Sequence, residues 1–153
     1  DSSNCDAFSL LDKYAVLAQN FKPSETFRSP RSSLSSSRFH LDLRHLYDIL
    51  EREEQFILFV YSLLEQKIIF TNKKSKQILA YSPDSFSHNF KELIQKGRSG
   101  WENAINQIDT EEKQNLRLII KSQSQEDILF HCYLEKIPKG IFNSFCLGLL
   151  IPS

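Results

Sequence analysis

The chain has 153 residues, no methionine, and nineteen basic side chains balanced by nineteen acidic ones. That length supports one ordinary domain with extensions, and a 41% hydrophobic composition with twelve phenylalanines predicts a packed core rather than disorder. Zero net charge gives no electrostatic argument for nucleic-acid or membrane-surface binding, and no apolar run approaches the roughly 20 residues of a membrane-spanning helix.

The first predicted element is an amphipathic helix over Ala7 to Asn20, with Phe8, Leu10, Leu11, Tyr14, Ala15, Leu17 and Ala18 close to helical spacing and Asp6 placed to cap it. It defines an N-terminal unit over residues 1–21. A Ser/Arg/Pro stretch, residues 22–40, has too few apolar side chains for a core element and is read as a linker. Its Arg28-Ser29-Pro30-Arg31 resembles a kinase target, a pattern that serine-rich linkers often match by chance. A second helix, residues 41–53, carries Leu43, Leu46, Tyr47, Ile49 and Leu50 on one face.

Residues 54–153 change hydrophobic period several times. Phe56 to Leu63 is a continuous apolar run suited to a strand covered on both faces. The polar trio Glu65-Gln66-Lys67 separates it from Ile68-Ile69-Phe70-Thr71, so the two runs form an antiparallel hairpin. Asn72 stands where a helix N-cap would accept an orphan backbone N–H, ahead of a short helix with Ile78, Leu79 and Tyr81. Ser82-Pro83-Asp84-Ser85 opens a further helix, with Phe86, Phe90, Leu93 and Ile94 at helical spacing through Lys96. Trp101, Ala104, Ile105 and Ile108 then mark one more short helix. Three strands finish the chain: Leu116 to Lys121, Ile128 to Ile137, and Ile141 to Ile151. In the middle one Ile128, Phe130, Cys132 and Leu134 point one way, and Leu129, His131, Tyr133 and Glu135 the other. In the last, Ile141, Phe145, Leu147, Leu149 and Ile151 share a face opposite Phe142, Cys146 and Leu150. Both faces of the sheet are apolar, so both must be covered.

The segment Lys67 to Phe86, KIIFTNKKSKQILAYSPDSF, resembles the second strand and first two helices of a PAS domain. Asn72 matches that family's frequent Asn at the end of the second strand, Ile78, Leu79 and Tyr81 its buried helix residues, and Ser82-Pro83-Asp84 its turn into the next helix. The resemblance covers Phe56 to Ile151. It implies an α+β fold with a five-stranded antiparallel sheet ordered 2-1-5-4-3, short helices on one face and N-terminal flanking helices. The hairpin lacks the Asp-Gly frequent in the family, and no His-Pro-Asp-Asp precedes the third strand. The Asn-Cys-Arg sequence of flavin-reactive relatives is also absent, which argues against a covalent flavin.

No phosphate loop, nucleophile elbow or HExxH helix is present, and a catalytic role is not expected. His131 and Cys132 are adjacent strand residues facing opposite sides, so a Cys/His enzyme is the weaker rival. Cys5, Cys132 and Cys146 are too scattered for a disulfide scaffold or a metal site and are read as small buried thiols, with no sign of haem or metal. The Lys73-Lys74-Lys76 cluster with Lys67 is read as a solvated face.

The expected function is a non-catalytic sensory module that binds a small ligand or a partner and relays the change to an output domain. Histidine kinases, cyclic-dinucleotide enzymes and transcription regulators are the outputs the resemblance implies. Candidate pocket liners are Leu58 and Val60 or their opposite-face neighbours, with Ile78, Phe90, Trp101, Ile105, Ile119 and Tyr133, chosen as apolar residues on elements that should face a sheet–helix cavity. The abundance of phenylalanine supports the alternative of a side-chain-filled core, as in a structural adaptor. Phe8, Leu11, Leu43, Leu46 and Leu50 are the expected contacts of a homodimer formed through the flanking helices and the outer sheet face. With no membrane span and no leader pattern the chain is expected to be cytoplasmic, and its start at Asp1 suggests a piece of a longer polypeptide.

Overall fold

The computed structural model describes the backbone of residues 2–19, 35–138 and 142–153, and the side chains of 7–18, 43–138 and 142–153. Two helices, α1 (Ser2–Gln19) and α2 (Ser35–Leu50), precede the hairpin of β1 (Ile57–Ser62) and β2 (Lys67–Thr71). Then come α3 (Lys74–Leu79), α4 (Pro83–Leu93), β3 (Ile94–Lys96) and α5 (Arg98–Gln107), followed by β4 (Lys113–Lys121), β5 (Asp127–Lys136) and β6 (Phe145–Pro152). The strands form one antiparallel sheet in the order β2-β1-β6-β5-β4-β3. Without β3 this is the five-strand order the resemblance implies.

The sixth strand corrects the expected helix over Phe86 to Lys96. Helix α4 ends at Leu93, and Ile94 and Lys96 pair with Ile120 and Ile119 at the edge of β4. Gly97 makes the exit possible: its φ of 101° is left-handed, and a Cβ there would lie 2.4 Å from the Arg117 carbonyl oxygen. Helix α4 starts as expected, with Ser82 Oγ accepting from Ser85 N–H at 3.2 Å, Pro83 in the first turn and Asp84 near the positive end of the helix dipole.

Other boundaries move as well. Asp6 lies inside α1 rather than capping it, and α2 begins at Ser35, so the last part of the expected linker is helical. The rest of that linker, including Arg28-Ser29-Pro30-Arg31, lies outside the described residues. Strand β6 begins only at Phe145; Phe142 sits in the preceding turn and packs on the same side as Phe145, not opposite it. Ile141 lies outside the described residues.

Alternation along the strands divides the apolar side chains into two cores. On the inner face Ile57, Phe59, Tyr61, Leu118, Ile120, Phe130, Cys132, Leu134, Cys146 and Leu150 pack against Leu79, Phe86, Phe90, Trp101 and Ala104 of the short helices. On the outer face Leu58, Val60, Tyr133, Phe145, Leu147 and Leu149 pack against Leu11, Tyr14, Ala15 and Ala18 of α1 and Leu46 and Leu50 of α2. All six positions of β1 are buried, which explains its unbroken apolar run. Among the described residues no helix is long and apolar enough to cross a membrane.

Candidate functional site

The space between sheet and short helices is where a ligand pocket was expected, and an aromatic cluster occupies it. Phe59 at the centre of the sheet lies 5.6 Å from the Phe90 ring and 6.1 Å from Trp101, which is itself 4.9 Å from Phe90 and 5.3 Å edge-on to Tyr61. Phe86 closes the set, edge-on to Phe90 at 5.4 Å. All of these rings are buried. The Phe59 ring packs over Gly148 of β6, where an added Cβ would stand 2.1 Å from the nearest ring carbon. Offset and edge-on ring contacts of this kind stabilise beyond area burial alone.

The expected pocket liners therefore do not line one cavity. Phe90 and Trp101 belong to the aromatic cluster, and Ile78 and Ile105 are half-buried against it. Leu58, Val60 and Tyr133 are on the opposite face, under the flanking helices, because β1 and β5 present Phe59 and Cys132 inward. Ile119, flanked by inward Leu118 and Ile120, also points outward, beside the exposed Leu129. An open groove of about 580 Å³ runs instead along the free side of β2, between Tyr47 of α2 and His88 of α4, floored by Ile69 and Phe70.

Asn72 is a second correction. The first turn of α3 is preceded by Lys73, and no side chain caps it. Asn72 is fully buried and binds the start of the sheet instead: Oδ1 accepts from Leu58 N–H at 3.2 Å, and Nδ2 donates to the carbonyls of Glu53 at 3.2 Å and Phe56 at 3.0 Å. It thus fixes the junction where α2 enters β1, through one acceptor and two donors of the same amide. Glu53 completes the junction, its Oε2 accepting from the N–H groups of Gln55 and Phe56.

The residues expected at a dimer contact are packed within the chain. Leu11, Leu46 and Leu50 are buried on its own sheet, Leu43 is half-buried there, and Phe8 meets the Tyr133 ring edge-on at 5.3 Å. Tyr47 stacks on Phe70 at 4.6 Å, seating α2 over β2. Helix α1 crosses β5 and β6 and is held by polar contacts as well. Burial and the nearby Glu53 carboxylate at the α2–β1 junction raise the Tyr14 hydroxyl above its ordinary value. Asp12 pairs with Lys113 at 3.3 Å, and the same ammonium lies 4.0 Å from Glu135.

Glu135 is an acid on the apolar outer face of a central strand, only 5% exposed. Its Oε1 has no hydrogen-bond partner and lies 4.0 Å from Lys113 Nζ. Burial, together with the neighbouring Asp12, pushes its carboxyl up to about 8, while Glu135 and Lys113 beside it hold Asp12 below its ordinary value. The sequence singled out neither Asp12 nor Lys113. A usable signal was present: Glu135 continues the Leu129-His131-Tyr133 face, so an acid there needs a partner on whatever covers it.

The groups weighed for chemistry do not meet. Cys132 is fully buried among apolar neighbours, which push its thiol well up, away from the nucleophilic thiolate. His131 is on the other face, stacked on Tyr133 at 4.5 Å, its imidazole pulled down by burial and the Arg117 charge. No group of metal-ligating side chains is found among the described residues. Lys73 and Lys74 line a groove together with Glu51, Glu53 and Glu54, so acidic side chains stand beside the basic run.

Comparison with known proteins agrees with this fold. The chain is 29% identical over 145 residues to a UPF0242 protein of Chlamydia caviae, covering 93% of this chain and 36% of that protein, so it spans about a third of the relative's length. Among solved structures it superposes on the Rhodobacter sphaeroides LOV protein with a TM-score of 0.58 at 12% identity, over 72% of this chain and 66% of that one. A domain of the sensory box sensor histidine kinase/response regulator from Geobacter sulfurreducens gives 0.56 at 15% identity, over 72% and 95%. The family model described as the UPF0242 C-terminal PAS-like domain matches residues 3–152, and the chain belongs to that family.

Proposed function

We propose that this PAS-like domain is a non-catalytic signal-transduction module whose working surface is the outer face of the sheet with the helices docked on it. The observation that supports this reading is the buried aromatic cluster of Phe59, Tyr61, Phe86, Phe90 and Trp101, whose rings pack against one another in the space between sheet and short helices that a PAS-type ligand would need. With that interior closed by side chains, the variable contact is between α1 and the strands β5 and β6. A partner that binds the outer face, or a condition that changes how α1 sits on it, alters the orientation of α1, and the change passes to the rest of a longer protein. A histidine kinase or cyclic-dinucleotide output fits this reading, in keeping with the kinase named for the Geobacter domain. Homodimerisation through Phe8, Leu11, Leu43, Leu46 and Leu50 is not part of the proposal, because the chain's own sheet already covers them.

Hydrogen exchange at neutral pH tests the relay. Helix α1 should open in a step of its own, exchanging at least tenfold faster than β5 and β6. Exchange of α1 only together with those strands, in a single global opening, would sink the reading.

A further inference from the structure

We propose that the Asp12–Glu135 carboxyl pair is a proton-operated latch, which holds α1 on the outer face of the sheet and releases it when the pair becomes fully ionised. The inference rests on the relay reading in taking α1 as the element that moves.

Asp12 of α1 and Glu135 of β5 stand around one ammonium at the helix–sheet contact, Lys113 Nζ lying 3.3 Å from Asp12 Oδ2 and 4.0 Å from Glu135 Oε1. In the closed latch the two acids share one proton, held by Glu135, and Lys113 balances the single negative charge. Around the pair stand Lys113 and Glu112 at the start of β4, with Phe8 and Leu11 of α1 closing the apolar side. Lys136 is engaged with Asp109 at 2.8 Å and is not free to neutralise a second charge. The Cys146 thiol nearby is kept neutral by complete burial.

Loss of the shared proton to solvent changes the balance. Two adjacent carboxylates would then face one half-exposed ammonium, with Glu112 adding to the repulsion and Glu135 Oε1 still without a hydrogen bond. Strand β5 is hydrogen-bonded on both sides and is the fixed partner, whereas the described residues of α1 meet the sheet through side chains. Undocking α1 hydrates both carboxylates. Since Glu135 keeps its proton up to about 8, the switch falls in mildly alkaline solution. At neutral pH the latch is mostly closed.

Hydrogen exchange across pH, corrected for the intrinsic rate and carried out on the full chain, tests this. In the unaltered protein α1 should lose tenfold or more of its protection between about pH 6.5 and 9, while β5 and β6 keep theirs. Glu135→Gln, which retains a hydrogen-bond donor and cannot ionise, should make α1 protection independent of pH. Asp12→Asn serves as a second variant: with the neighbouring charge gone, the midpoint should fall by about one pH unit or more, read from α1 exchange and from the Glu135 carboxyl carbon by NMR. An α1 that opens on its own but with no pH dependence, or the same fall in Glu135→Gln, overturns the latch and leaves the relay standing. An α1 that never opens apart from the sheet overturns both.

Discussion

Phe59 and Gly148 show how a single pair decides what the interior can hold. The ring takes the place that any larger residue at position 148 would need, and it is wedged against Phe90 and Trp101, so it cannot swing away cheaply. Gly148→Ala should therefore destabilise the domain by about 1–3 kcal/mol through overpacking. Denaturant unfolding should also show the Phe59→Leu background recovering part of that loss, since a smaller side chain makes room for the methyl. Equal losses in both backgrounds would mean that the ring is not the obstacle. Asn72 illustrates the limit of local reading at the same scale. Its sequence neighbours suit a helix cap, but its partners Leu58, Phe56 and Glu53 lie 14 to 19 residues away, and only the folded hairpin brings them within reach.

At the scale of elements, the docking of α1 makes stability depend on pH with a defined sign. Glu135 has a folded value raised to about 8 from an ordinary 4.5, so its contribution is fully present below about 4.5 and is lost as pH rises through 8. Asp12, lowered in the fold, acts oppositely and only in acid, and its effect is small because it is half-exposed. Unfolding free energy should thus fall between about pH 5 and 8 by up to about 1.4 kcal/mol per pH unit, and level off above. Denaturation midpoints at several pH values check this, and Glu135→Gln should flatten the slope. A slope that is absent, or that rises with pH in this range, contradicts the assignment. The amphipathic helices and the alternation of β5 were legible in the sequence, because their apolar periods are clean. Strand β3 was not: Ile94 continues the helical spacing of Phe86 and Phe90, and three residues are too few to show a period of two. Which face of β1 looked inward was equally hidden, since Leu58 and Val60 are as apolar as Ile57 and Phe59 and both sets are buried.

For the whole molecule, one sheet separates two cores with different work. The inner core is built around packed rings, and the outer one joins the flanking helices to the strands through apolar contacts and the Asp12–Lys113–Glu135 charges. The general plan, a PAS-type sheet with both faces covered, followed from strand and helix periods and from the Lys67 to Phe86 segment. Whether the interior was empty or filled did not follow, because the same phenylalanines could line a cavity or occupy it, and packing alone decides. Native mass spectrometry of the purified domain tests that point most directly. The account predicts the bare polypeptide mass with no species that departs on denaturation. A mass excess that vanishes when the protein is denatured would reveal a bound small molecule and contradict the filled interior.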